Sequence, residues 1–126
     1  MDKIKLLSLI VPAYKQERTI VENIKRLDGV LAALPYKYEI IVVVDGFLDK
    51  TYEKVEKIRK RNIKVFGYEE NQGKGNTVKH GMLAAKGDVV GFMDGGMDIN
   101  PVAIPLLLDL MNFHDADIVL GSKLHP

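Results

Sequence analysis

The sequence predicts an α/β fold, a doubly wound and mainly parallel sheet with flanking helices. Three observations carry that reading. Short uninterrupted apolar runs recur along the chain, the pattern of strands buried on both faces. Between them, apolar residues return every three or four positions, as on one side of a helix. Glycine, proline and acidic residues gather just after the apolar runs, where a strand of an open sheet turns into the next helix.

In chain order, Leu6–Val11 is the first strand, ended by Pro12. Glu17–Leu34 is the first helix, with Ile20, Ile24, Leu27 and Leu31 on one stripe and Pro35 as its stop. Tyr38–Val44 is a second strand running into Asp45-Gly46. Thr51–Arg61 is a charged helix with Tyr52, Val55 and Ile58 inside. Ile63–Gly67 is a third strand. Gly75–Ala85 is a third helix with Val78, Met82 and Ala85 aligned, and Val89–Met93 a fourth strand. Pro101–Phe113 is a leucine-rich fourth helix and Ile118–Leu120 a fifth strand. Right-handed crossovers then bring the strand C-termini to one edge. The chain leaves the fifth strand as LGSKLHP without a covering helix. One domain over 1–126, truncated at its C-terminus, is therefore expected.

At 126 residues the chain is long enough to bury one core. A net charge of +1 gives no electrostatic reason for a nucleic-acid partner. The absence of cysteine excludes disulfides and thiolate metal sites. Leu6–Val11 is too short for a signal-peptide core, and no run approaches the ~20 apolar residues of a membrane span. A cytoplasmic location is expected.

Four segments fall at the sheet edge where open α/β folds bind ligands. VPAYKQE (Val11–Glu17) offers Tyr14 and Glu17 to a nucleobase or ribose, or is a plain strand-to-helix turn. VVVDGFLDKT (Val42–Thr51) sets Asp45 at a strand tip as a hydrogen-bond acceptor, although Asp-Gly is also a turn dipeptide. Asp49 precedes a helix and suits an N-cap. NQGKG (Asn71–Gly75) has the chemistry of an anion site: two glycines, the Lys74 charge and a helix N-terminus behind them. The other reading is a glycine-rich loop with a surface lysine. FMDGGMDINP (Phe92–Pro101) carries Asp94 and Asp98 on one loop, either for Mg²⁺ or as a turn in which Asp98 or Asn100 caps the next helix. His80, His114 and His125 match no metal spacing.

Taken in order, SLIVPAYKQE, EIIVVVDGFLDKT, NQGKGNTVKHGMLAAKGDVVGFMDGGMDINP and DIVLGSK resemble the family 2 glycosyltransferases of the GT-A fold. Within that family the likeness is greatest to the dolichyl- or polyprenyl-phosphate mannose and glucose synthases. The resemblance implies the nucleotide-sugar-binding half of such an enzyme. It implies a GDP- or UDP-hexose donor, a lipid-phosphate or glycan acceptor in the intact protein, and action at the membrane surface. It implies nucleotide-sugar contacts from Pro12, Ala13, Tyr14, Glu17, Asp45, Lys74 and Asp94, with Lys123 of the GSK segment near the phosphates. It also implies Mg²⁺ or Mn²⁺ on Asp94; Asp98, on the same loop, is expected to replace in part the carboxylate missing at position 96.

Three features depart from the family pattern. DDGS reads Val44-Asp45-Gly46-Phe47, DxD reads Asp94-Gly95-Gly96, and the chain stops where the acceptor half and catalytic base are expected, beyond Pro126. The alternative is a non-catalytic GT-A-like nucleotide-binding or regulatory module.

Overall fold

The uninterrupted apolar runs become a sheet and the spaced ones become its covers. The computed structural model describes residues 4–96 and 100–113. In order these form β1 (Leu6–Ala13), α1 (Ile20–Leu31), β2 (Lys37–Asp45), α2 (Thr51–Glu56), β3 (Ile63–Tyr68), α3 (Lys74–Ala84), β4 (Val89–Phe92) and α4 (Ala103–Phe113). The four strands are parallel and lie in the order β3-β2-β1-β4. The chain builds outward from β1 to β3, then returns to the other side of β1 with β4. Such a reversal opens a crevice beyond the strand C-termini.

The pleat divides β1 and β2 between two faces. Leu7, Leu9, Val11 and Ala13 join Ile40, Val42 and Val44 beneath Ile20, Ile24, Leu27 and Leu31 of α1. Val55 of α2 and Ile104 and Leu108 of α4 complete that core. On the opposite face Ile10, Ile41 and Val43 meet Ala84 and Ala85 at the end of α3. Gly81 lets α3 sit close there, since a Cβ would fall 2.9 Å from Ile10 Cγ1.

The strand and helix types match the sequence reading, and three boundaries move for identifiable reasons. β1 runs past Pro12, which pairs with Val43 while Ala13 pairs with Val44. The ladder to β4 ends earlier, at Ile10 and Phe92. A strand residue points its N and its carbonyl to one side, and the Pro12 carbonyl accepts the Gly95 N–H at 2.8 Å. The N–H that proline lacks is therefore missing on the β4 side and not from β2. α1 starts at Ile20 rather than Glu17. The N–H groups before it donate elsewhere, Gln16 to Thr51 Oγ1 at 2.8 Å and Glu17 to Asp49 Oδ2 at 3.2 Å. α2 stops at Glu56 rather than Arg61, and the chain reverses through Arg59 at φ 51°. The expected fifth strand, Asp98 and Lys123 lie outside the described residues.

Candidate functional site

A cavity of about 350 Å³ opens at the C-terminal edge of β1 and β2, lined by Pro12, Ala13, Tyr14, Gln16, Asp45, Lys74, Thr77 and Asp94. Six of the expected site residues are thus brought together from four separate segments.

Asp45 ends β2 and is 7% exposed. Its Oδ1 accepts the Gln72 N–H at 2.6 Å, and its Oδ2 accepts the Gly73 N–H at 3.1 Å. The carboxylate therefore pins the NQGKG loop to the sheet. Gly73 is at φ 99° and Gly46 at φ 95°, left-handed values that glycine adopts without strain. The pinned loop delivers Lys74 as the first residue of α3. The first turn of that helix has no acidic residue and its N-terminus has no side-chain cap, and its residues Lys74 and Thr77 line the cavity. Thr77 Oγ1 donates back to the Lys74 carbonyl at 2.6 Å, which fixes the turn.

Asp94 follows β4 on the other side of the cavity. Its Oδ2 lies 2.6 Å from Lys74 Nζ, and its Oδ1 accepts the Gly96 N–H at 3.3 Å. Both side chains of that ion pair remain well exposed, 61% for Lys74 and 43% for Asp94. Gly95 is held by packing. Its carbonyl accepts from Asn23 Nδ2 at 2.9 Å, and a Cβ would press on Gln16 and sit 3.0 Å from the Pro12 carbonyl. Tyr14 stands at the rim, 46% exposed, with the Lys15 ammonium 5.6 Å from its ring centre. Lys15 itself is at φ 48°, a left-handed conformation that is costly for lysine.

Glu17 does not line the cavity. Its Oε1 accepts the Lys50 N–H at 2.8 Å and its carbonyl accepts from Lys54 Nζ at 2.9 Å, so it ties α1 to the start of α2. Asp49 works at the same junction, with Oδ1 accepting the Thr51 N–H at 2.9 Å and the Thr51 hydroxyl at 2.6 Å. Burial would raise its pKa, but these bonds and the Glu17 N–H outweigh it and hold Asp49 below the usual carboxylate range. Asp49 is therefore not the N-cap expected: Lys50 holds that position without a side-chain cap, and Asp49 forms an Asx turn one residue earlier. Phe47, which departs from DDGS, packs over Gly67 and stands edge-on to Tyr52 at 5.0 Å, away from the cavity. His80 stacks near Tyr68 at 5.1 Å.

Sequence reasoning missed Gln16 and Thr77. Gln16 precedes Glu17 in the same motif, and its Oε1 is buried with no hydrogen-bond partner among the described residues. Thr77 lies three residues after Lys74, the spacing that returns a helical side chain to the same side.

The expected Mg²⁺ or Mn²⁺ meets a poor donor set. Position 96 is glycine, Asp94 is engaged by an ammonium and a backbone N–H, and Asp98 lies outside the described residues. No group of three His, Cys, Asp or Glu residues able to hold a metal occurs among the described residues. Among the described residues, that set offers a divalent ion a single carboxylate, already paired with Lys74.

Comparison with known proteins bears on what such an edge is for. A dolichol-phosphate mannosyltransferase of Pyrococcus furiosus is 33% identical over 117 residues, covering 92% of this chain and 32% of that protein. The chain spans about a third of the length of the first curated relatives it matches. A crystal structure of S. aureus TarS in complex with UDP-GlcNAc superposes with a TM-score of 0.67 at 30% identity, over 95% of this chain and 36% of that one. A mannosyltransferase from Pyrobaculum calidifontis, in complex with GDP-Man and Mn²⁺, superposes with a TM-score of 0.62 at 21% identity. It covers 75% of this chain and 28% of that one, a likeness of fold. The profile of Glycosyl transferase family 2 matches residues 8–125, from the first core strand through every segment around the cavity, and the chain belongs to that family.

Proposed function

We propose that this chain is the nucleotide-sugar-binding part of a glycosyltransferase. The intact protein would move a hexose from GDP or UDP to a polyprenyl phosphate or a glycan acceptor. The observation that carries the reading is the convergence of Pro12–Tyr14, Asp45, Lys74 and Asp94 on one cavity at the sheet reversal. Family membership and the names of the relatives support it.

In this reading the nucleoside lies against Pro12, Ala13 and Tyr14, and the diphosphate lies toward Lys74 and the N-terminus of α3. Asp45 acts through the loop it holds. During transfer the acceptor oxygen attacks the anomeric carbon while the bond to the diphosphate breaks. The negative charge developing on the diphosphate is met by the Lys74 ammonium and the helix end, an electrostatic stabilisation aligned before the reaction begins. The chain spans about a third of its first curated relatives, so this reading puts the acceptor site and any catalytic base outside the part matched here. A lipid-phosphate acceptor would place that protein at a membrane surface. Among the described residues no helix is long and apolar enough to cross one.

Titration calorimetry of the chain with GDP and UDP tests the donor half. One of the two is expected to bind, with its monophosphate weaker by roughly tenfold, about 1.4 kcal/mol. If neither binds, the reading fails. The glycine at position 96 favours a second reading, a GT-A-like module that holds a nucleotide without transferring sugar. Radiolabelled donor offered to the longer protein separates the two, since a module would neither transfer nor hydrolyse it.

A further inference from the structure

We infer that Lys74 takes the place of a divalent metal at this site, so that the nucleoside diphosphate is bound without one. The inference rests on the nucleotide-binding reading above and specifies how the ligand's charge is balanced. Its ground is the disagreement between the resemblance, which implies a metal, and the residues found at Asp94.

Three observations support it. The Lys74 ammonium lies 2.6 Å from Asp94 Oδ2, the oxygen a cation in the cavity would use, while Gly96 N–H holds Oδ1. Position 96 carries no second carboxylate. The lysine is also held in place. Asp45 anchors Gln72 and Gly73 immediately before it, so its backbone is fixed to β2 at the N-terminus of an 11-residue helix. An ammonium has three donors. One is directed at Asp94, and the side chain is 61% exposed and lines the cavity. A diphosphate oxygen reaching that ammonium would complete a carboxylate–ammonium–phosphate chain, with the helix end contributing about half a positive charge more.

The test is calorimetry with the nucleoside diphosphate that binds, run in EDTA and in Mn²⁺, on wild type, Lys74→Met and the double variant Lys74→Met/Asp94→Asn. Wild type is expected to bind equally under both conditions. Lys74→Met should lose on the order of 10- to 100-fold in EDTA, the worth of a charged hydrogen bond. It should recover much of that in Mn²⁺, because Asp94 is released to hold the ion, and the double variant should not recover. Circular dichroism on each variant verifies that the fold is kept. Wild-type binding that requires Mn²⁺, or Lys74→Met binding as well as wild type in EDTA, overturns the inference and leaves the nucleotide reading standing. Binding of neither GDP nor UDP under any condition removes both.

Discussion

The two ends of this sheet handle their polar groups in opposite ways. At the N-terminal edge, Glu39 is 5% exposed and fully engaged. Ser8 Oγ donates to it at 2.6 Å, Lys64 Nζ at 2.9 Å and the Lys86 N–H at 2.8 Å, while the Gly87 N–H donates to Ser8 Oγ at 2.8 Å. At the C-terminal edge, Gln16 Oε1 is buried without a described partner, the α3 N-terminus is uncapped, and the Lys74–Asp94 pair is open to solvent. A closed network holds the fold at one end, and an incomplete one leaves room for a ligand at the other. Buried polar groups stabilise when every member is satisfied and destabilise when one is not. Disruption should therefore damage stability at Glu39, and at the Lys74–Asp94 pair should alter binding with little change in stability.

The largest effect is expected from Gly87→Ala. A Cβ there would stand 2.6 Å from the Leu6 carbonyl and 2.8 Å from the Ser8 backbone nitrogen. Those are atoms of a central strand and cannot swing aside as a side chain would. The loop would have to part from β1, losing the bond to Ser8 as well. Urea unfolding should show a loss of about 3 kcal/mol, the upper end for an overpacked site. A loss under about 1 kcal/mol would mean that this edge is less tightly closed than its distances imply.

Glu39→Gln comes next, at about 2 kcal/mol, since the amide cannot accept as many bonds as the carboxylate it replaces. The same position sets a pH dependence. Burial would raise the Glu39 pKa, but the bonds from Ser8, the Lys86 N–H and Lys64 outweigh it and hold the group below its ordinary 4.5. A depressed carboxylate contributes its stability in full above the unfolded value and loses it as pH falls through the folded one. Wild-type stability should therefore fall with acidification below about pH 4.5, and the Glu39→Gln slope should be shallower there. Equal slopes in denaturation curves across that range would sink the assignment.

Much of this contrast could be read in the sequence at one end only. The strands were legible because a sheet buried on both faces needs uninterrupted apolar runs, and Leu6–Val11 and Tyr38–Val44 are such runs. The site segments were legible because glycine, lysine and aspartate gather where strands of such a fold end. The N-terminal network was not, because sheet register brings together residues far apart in the chain, Ser8 with Glu39 and with Gly87. Individual roles within the site were also hidden. Glu17 looks like a ligand contact by position, and its Lys50 partner 33 residues away makes it a brace instead. Asp45 and Asp94 are the same residue type at the ends of two apolar runs. Only their partners separate an anchor for a loop from one half of an exposed ion pair.

The smallest effect on stability is expected from Asp94→Asn, and comparison with Asp45→Ala gives it meaning. Asp45 is nearly buried and satisfies two backbone N–H groups, so its removal leaves donors unpaired and should cost about 2 kcal/mol. Asp94 faces solvent on one side of a pair whose lysine is more exposed still. Water and salt screen such a pair, and fixing two side chains has an entropic cost, so its net worth is within about 0.5 kcal/mol. The substituted amide would keep an oxygen for the Gly96 N–H, which preserves the local turn. Urea midpoints of wild type and Asp94→Asn should therefore nearly coincide. The binding signature should not be neutral: without the carboxylate, the Lys74 charge is uncompensated, and nucleoside diphosphate affinity in EDTA should rise. A clear loss of stability in Asp94→Asn would show that the open ion pair holds the fold as Asp45 does, and the contrast with the Glu39 network would fail.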